Sequence, residues 1–305
     1  KFLADYFAKL SAEEEKAPAP SKNVVTLKYQ DLVDGKDLSA EVYKAYGPNG
    51  LGALTVSGIP DYVKLRQALL PQGHKIAHLP ERSNYEHEPS MWNVGWSHGK
   101  EKLGDEPDFA KGSYYGNPCY DDADPEGEAD EHPFFYPKNI WPKELPEMEP
   151  AFKALGKIMY DVVVLLSKQV DSLTKAKVPG YKEGTLQKQM SETKKIKGRL
   201  LYYYPLEEVK EDGWIGWHND SGFLTALTSA MFFDDDTGKM CANPDPDGGL
   251  WIVDRDSSPV RVRIPADELA IQCGECLQIM TGGLLVATPH CVRPSRVPPG
   301  KHIGR

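Results

Sequence analysis

From Gly198 to the end of the chain, short apolar runs alternate with turn-forming residues. They read "GRLLYYYP", "FLTALTSAMFF", "GGLWIVD", "VRVRI", "LAIQC", "CLQIM" and "GGLLVATPH". Short strands at such close, regular spacing, with Gly and Pro between them, predict an antiparallel sandwich or barrel. Immediately before this texture lies its opposite. "EMEPAFKALGKIMYDVVVLLSKQVDSLTKAK" carries Phe152, Leu155, Met159, Val162, Leu166, Val170 and Leu173 at three- and four-residue steps, which predicts a long amphipathic helix. Earlier segments read as a strand at "VVTLKY", a helix at "DLSAEVYKAYG" and a strand at "LGALTVSG". "DYVKLRQALLPQGHKIAHLP" reads as a helix interrupted at Pro71 and closed by Pro80. Residues 81–146 show little periodicity and predict long ordered loops of the kind that carry function.

One interruption stands out. In "GWIGWHNDSGFLTALTSAMFF" a polar cluster, His218, Asn219 and Asp220, falls inside a run that otherwise suits a buried strand. Strand residues two apart share a face, so His218 and Asp220 would present an imidazole and a carboxylate side by side. A third ligand must come from elsewhere, and "VATPHCV" supplies His290 near the end of a later strand. Two histidines and a carboxylate make the facial triad of non-haem Fe(II) oxygenases, and Zn2+ accepts the same three groups.

The context of these residues resembles a known family. "HNDSGFLTAL" is similar to the His-x-Asp-x-Gly-x-Leu-Thr segment of the 2-oxoglutarate and Fe(II)-dependent dioxygenases, in the branch of isopenicillin N synthase and the plant flavonoid and hormone oxygenases. "GGLWIVD" resembles the next Gly-Leu strand, "GECLQIMTGGLLVATPHCV" the segment leading to the distal histidine, and "LGALTVSGIP" the branch's N-terminal strand. The resemblance implies an α+β protein with a mainly β core, a double-stranded β-helix or jelly roll, with N-terminal helices packed outside. It implies Fe(II) held by His218, Asp220 and His290, with 2-oxoglutarate and O2 as cosubstrates. Substrate oxidation, whether hydroxylation, desaturation or cyclisation, would be coupled to the release of succinate and CO2.

The family's cosubstrate arginine has three candidates here, Arg293, Arg296 and Arg305. Bidentate binding of a carboxylate calls for Arg rather than Lys. Arg293 lies three residues after His290, within the strand end or turn; Arg305 lies beyond the Pro/Gly loop, where a last strand would begin, and is favoured. The family's Asn-Tyr-Tyr-Pro segment matches "YYYP": Tyr204 falls where a tyrosine helps to hold the cosubstrate, Tyr202 replaces the asparagine, and Tyr203 would point to the other face. Cys291 replaces the arginine common after the distal histidine. These departures mark a divergent subgroup and keep two alternatives open, a noncatalytic subunit that retains the fold and an iron oxidase that does not use 2-oxoglutarate. Trp92, Trp96 and His98, in the loop region, and Trp217, beside the first histidine, are candidate substrate contacts.

The expected organisation is an N-terminal helix and mobile linker over 1–23, a mixed helical region over 24–197, and the dioxygenase core over 198–305, continuing beyond 305. The net charge of -9 disfavours nucleic acid and anionic membrane surfaces as partners. The family resemblance implies a small-molecule substrate, and the sequence indicates no protein partner. An odd number of cysteines, five, suits a reducing compartment. No apolar run approaches the roughly 20 residues that span a bilayer. The expected location is intracellular, cytoplasmic or organellar, with a removed targeting peptide left open because the sequence begins at Lys1. "CGEC" reads as a β-turn with buried thiols, His74 and His78 as surface or satisfied core histidines, and "DDADPEGEADEH" as a solvated loop.

Overall fold

The computed structural model describes residues 21–22, 24–103, 106–124, 127, 134–206 and 214–305. The helix expected over the first ten residues lies outside the described residues, as does most of the acidic segment after Asp124.

The chain is a mixed α+β assembly. Its first strands are β1 (Ser21–Lys22), β2 (Val25–Lys28) and β3 (Ala53–Ser57), with helices α1 (Tyr29–Val33) and α2 (Ser39–Tyr46) between β2 and β3. Helix α3 (Tyr62–Ala77) follows, then β4 (Gly95–His98), β5 (Lys102–Leu103), β6 (Glu106–Pro107) and β7 (Lys111–Gly116). Helices α4 (Met148–Lys177) and α5 (Thr185–Glu192) complete the first half. The second half holds β8 (Gly198–Tyr203), β9 (Ile215–His218), β10 (Leu224–Thr228), β11 (Phe232–Asp234), β12 (Met240–Cys241), β13 (Gly249–Val253), β14 (Pro259–Val262) and β15 (Leu269–Cys273). Helix α6 (Glu275–Met280), β16 (His290–Arg293) and β17 (Ile303–Gly304) close the chain.

Two sheets dominate. One has the order β1-β14-β13-β16-β9 and the other β10-β15-β3-β2. They meet through Leu250, Ile252 and Val262 on the first and Ala53 on the second, with Leu227 packed against that cluster. The second sheet turns its other face, Leu54, Val56, Leu269 and Ile271, to the helices. Its β2 and β3 come from the first half of the chain, so that half contributes strands to the core sheet as well as helices outside it. A third sheet, β4-β7-β8, and a small one, β12-β11-β17, flank the pair.

Helix α4 forms where the periodicity places it. Phe152, Leu155, Val162, Leu166, Val170 and Leu173 are all buried along one face. Glu149 in its first turn and Lys175 and Lys177 in its last complement the helix dipole. Three expectations need correction. Helix α3 runs straight through Pro71, because Leu69, Gln72, Gly73 and Ile76 on either side are buried and hold both flanks in place. Residues 81–146 are partly regular, since β4 and β7 build a sheet with β8. "CLQIM" is helix α6 rather than a strand, which leaves Cys276 exposed while Cys273 is buried at the end of β15. Asp121, at the start of the acidic segment, is exposed and accepts hydrogen bonds from the Trp141 indole at 2.9 Å and the Asn139 amide at 3.1 Å.

No helix among the described residues is long and apolar enough to cross a membrane. Leu166, fully buried on α4, anchors the helical layer against the sheet. Leu166→Ala is expected to cost about 3 kcal/mol of unfolding free energy, because removing the side chain leaves a cavity as well as losing apolar contact. Urea unfolding checks this; a loss below about 0.5 kcal/mol would show that α4 is not part of the cooperative core.

Candidate functional site

The chain passes from one large sheet to the other through residues 219–223, between the edge strands β9 and β10, and the candidate site sits at that corner. His218 ends β9 and pairs directly across the ladder with His290, the first residue of β16. The register then slips between His290 and Val292. Such irregularities re-aim side chains and gather next to active sites. The two imidazole centroids lie 4.3 Å apart.

Asp220 joins them from the turn, not from the strand, so the alternation that suggested its placement is not what delivers it. The turn is gripped by the start of α6. The Glu275 amide donates to the Asp220 carbonyl at 2.7 Å, the Cys276 amide to Gly222 O at 3.1 Å, and the Gly274 amide to Phe223 O at 3.0 Å. Asn219 adds a bond from its amide to Glu275 Oε1 at 2.9 Å. A Cβ on Gly274 would lie 2.1 Å from Gly222 O and 3.0 Å from Asp220 O, so only glycine permits this approach. "GEC" therefore clamps the Asp220 turn, a role that sequence reasoning missed.

Both histidines are oriented in the same way. His218 Nδ1 lies 2.8 Å from Gly216 O, and His290 Nδ1 lies 3.2 Å from Thr288 O. A carbonyl only accepts, so each Nδ1 carries the hydrogen and each Nε2 keeps its lone pair. Those Nε2 atoms stand 3.8 Å and 3.7 Å from Asp220 Oδ1. The distances are too long for hydrogen bonds, and the three donor atoms lie within 4.8 Å of one another, a spacing that one ion can bridge. Burial and the neighbouring His218 hold the His290 imidazole below its usual range, in the neutral form that ligates metal. Asp220 Oδ2 is buried without a hydrogen-bond partner. A buried carboxylate oxygen left in this way is costly unless something cationic meets it. The donor set and its unmet carboxylate fit a divalent ion.

The triad opens into a cavity of about 1360 Å³, lined by His218, Asp220, His290 and Arg305 together with apolar residues such as Leu227 and Leu250. Arg305 pairs through its main chain with Tyr203, and its guanidinium stacks over Tyr203 at 5.3 Å and Trp214 at 5.7 Å. Burial lowers its pKa. Its Nη1 is buried without a hydrogen-bond partner. Arg293 instead lies on the opposite face of its sheet, over the Trp251 ring at 3.7 Å. The Arg296 amide caps Asp245.

Of the three tyrosines of "YYYP", Tyr202 and Tyr203 line the cavity and Tyr204 does not. Tyr203 packs with Trp214, Phe232 and Val292, on Arg305's side. Tyr204 turns away and donates to Ala77 O at 3.1 Å, and the Tyr202 hydroxyl donates to Asp235. The four candidate substrate residues do not line the cavity. Trp96 is fully buried over Gly112, where a Cβ would fall 2.2 Å from the indole. His98 bonds Phe109 O at 3.1 Å, and Trp92 lies under the Lys100 ammonium at 5.0 Å. Trp217 is half-buried on β9.

With this geometry in place, comparison of the whole fold gives clear matches among solved structures. A protein from Caulobacter crescentus described as a 2OG-Fe(II) oxygenase family member aligns at a TM-score of 0.65 and 18% identity, over 94% of this chain and 86% of its own. JOX2, in complex with 2OG, Fe and JA, aligns at 0.62 and 15%, over 98% and 80%. A Neurospora crassa protein in complex with alpha-KG and thymine aligns at 0.60 and 16%, over 95% and 86%. At such identities the likeness establishes the fold alone. No family model matches the sequence, and neither does any curated protein.

Gly274→Ala is expected to push the Asp220 turn outward and weaken Co2+ or Fe(II) binding by about 10-fold or more, as loss of a ligand's outer support typically does. Metal titration with far-UV circular dichroism as a folding control measures this. Unchanged affinity in the folded variant would show that the clamp does not position the ligand.

Proposed function

We propose that the protein is a 2-oxoglutarate- and Fe(II)-dependent oxygenase acting on a small molecule, with the two large sheets as the halves of a jelly-roll core. In this reading His218, Asp220 and His290 hold Fe(II), and Arg305 receives the far carboxylate of 2-oxoglutarate. When bound, iron and cosubstrate supply the oxidising chemistry, with 2-oxoglutarate leaving as succinate and CO2.

The chain's own residues supply position and surroundings. Gly216 O and Thr288 O fix the two imidazole tautomers, so both lone pairs face the ion without rearrangement. The α6 clamp holds the carboxylate at the third corner. Tyr203 and Trp214 keep the Arg305 guanidinium in a dry, aromatic seat, where its fork can take a carboxylate by two parallel hydrogen bonds. Leu227 and Leu250 add apolar surface to the cavity that the arginine and the triad share.

The observation that carries this reading is Arg305: a half-buried cation whose Nη1 is buried without a hydrogen-bond partner, with no described carboxylate beside it, lining the same cavity as the triad. A buried unpaired charge is strongly unfavourable, so the site calls for an anionic ligand. An iron oxidase that uses no keto acid, or a noncatalytic scaffold, would leave that charge unmet. The fold's neighbours include chains bound to 2OG or alpha-KG and, in separate cases, to JA or thymine, which supports a small molecule as the thing oxidised.

Two substitutions test the roles separately. Asp220→Ala is expected to abolish iron retention and succinate release together; succinate release at the wild-type rate would contradict its place in the triad. Arg305→Gln is expected to keep iron but lose about 30-fold or more in 2-oxoglutarate affinity, corresponding to the roughly 2 kcal/mol or more lost when one partner of a buried charge pair is removed. Calorimetry with the iron-loaded proteins reads it, and equal affinities would assign the cosubstrate to another residue.

A further inference from the structure

A second group of metal-ligating side chains lies outside the cavity. His74 and His78 are four residues apart, at the end of α3 and just past it, and therefore share one helix face. Asp235 follows directly on β11 and meets them there. One donor atom from each of the three lies within 4.8 Å of the others. We propose that His74, His78 and Asp235 form a second metal site, distinct from the triad, that takes a divalent first-row transition ion, Zn2+ by its ligand set.

The hydrogen-bond pattern supports a cation at this place. His78 Nδ1 lies 2.9 Å from His74 O, a pure acceptor, so that nitrogen carries the hydrogen. His78 Nε2 then faces Asp235 Oδ1, 3.2 Å away. A cation shared between the two atoms, either a proton or a metal ion, satisfies this contact. The His74 and His78 rings stack with centroids 4.1 Å apart, which places their ring nitrogens side by side. Neutral imidazole is the ligating form.

The surroundings are built to hold the carboxylate. The Tyr202 hydroxyl donates to Asp235 Oδ1, and a Cβ on Gly304 would lie 2.0 Å from that hydroxyl, so glycine is required for the bond to form. Asp235 N donates to His302 O at 2.8 Å, and its main-chain oxygen accepts from His74 Nε2 at 3.1 Å, which leaves Nδ1 as the His74 nitrogen able to ligate. At Gly238, in the left-handed region at φ +67°, the following turn closes over His74, where a Cβ would meet Cε1 at 2.9 Å. Ion entry requires the stacked rings to rotate about their Cβ–Cγ bonds, and the His78 side chain is 36% exposed, with room to do so. A helical pair at this spacing plus one carboxylate suits Zn2+, with water completing the coordination. Such an ion would tie α3 to the β11/β17 ladder, whose last strand leads into Arg305.

Titration with Zn2+, and with Co2+ for its visible spectrum, tests the site. Wild-type protein is expected to bind two equivalents, Asp220→Ala one, the double variant His74→Asn/His78→Asn one, and the combined triple variant none. Zn2+ at about 100 times its dissociation constant should raise the melting temperature of Asp220→Ala by about 5 °C, and this rise should vanish in the triple variant. Should the triple variant fail to fold, His78→Gln in the Asp220→Ala background serves the same purpose, with at least a 10-fold loss of Zn2+ affinity expected. Absence of Zn2+ binding to folded Asp220→Ala would overturn the proposal and leave a proton as the shared cation. Binding that survives the histidine substitutions would overturn it as well.

Discussion

The direct cross-strand pairing of His218 with His290 is the constraint on which the site depends. It joins the edge strand of the five-stranded sheet to its neighbour and brings together two imidazoles that are distant in sequence. Register in a sheet is all or none: a slip of one residue would turn one of the two rings to the opposite face. The irregularity just beyond His290 confines the adjustment to the site and leaves the rest of β16 paired with β13. Main-chain carbonyls two residues upstream then fix both rings, so orientation and protonation follow from the same backbone.

The second constraint is a charge. The half-buried Arg305 lays its guanidinium over Tyr203 and Trp214, with Nη1 buried, and meets no described carboxylate. Aromatic faces soften the cost of burying the cation without cancelling it. In the proposed reading, the triad would hold a metal ion and Arg305 an anion, and a keto acid that chelates the one and pairs with the other would satisfy both at once. The two sheets and the α4 layer position these groups while leaving the space between them open.

Much of this was legible in the sequence because it rests on local pattern. The polar break at His218–Asp220, the distant His290 and the apolar stripe of α4 are strong, short-range signals, and the structure brings the three polar groups together. Other features depend on partners that no local pattern reveals. "CLQIM" is five residues long, too short for periodicity to separate helix from strand, and it is a helix because its first turn must grip the Asp220 turn. The phase of "YYYP" is set by β7 on one side and by Tyr202 reaching Asp235 past Gly304 on the other. Trp96 resembled a loop aromatic free to touch substrate, yet Gly112 across the β4/β7 ladder provides the space that buries it. His74 and His78 lacked a visible carboxylate because Asp235 arrives from the far side of the chain.

The joint claim, that one metal ion and one keto acid occupy this cavity together, is tested most directly by adding 2-oxoglutarate to the Fe(II)-loaded protein without oxygen and recording the visible spectrum. A new absorption band is expected, saturating at one equivalent of 2-oxoglutarate per iron. Folded, iron-loaded protein whose spectrum does not change at saturating 2-oxoglutarate would contradict that claim.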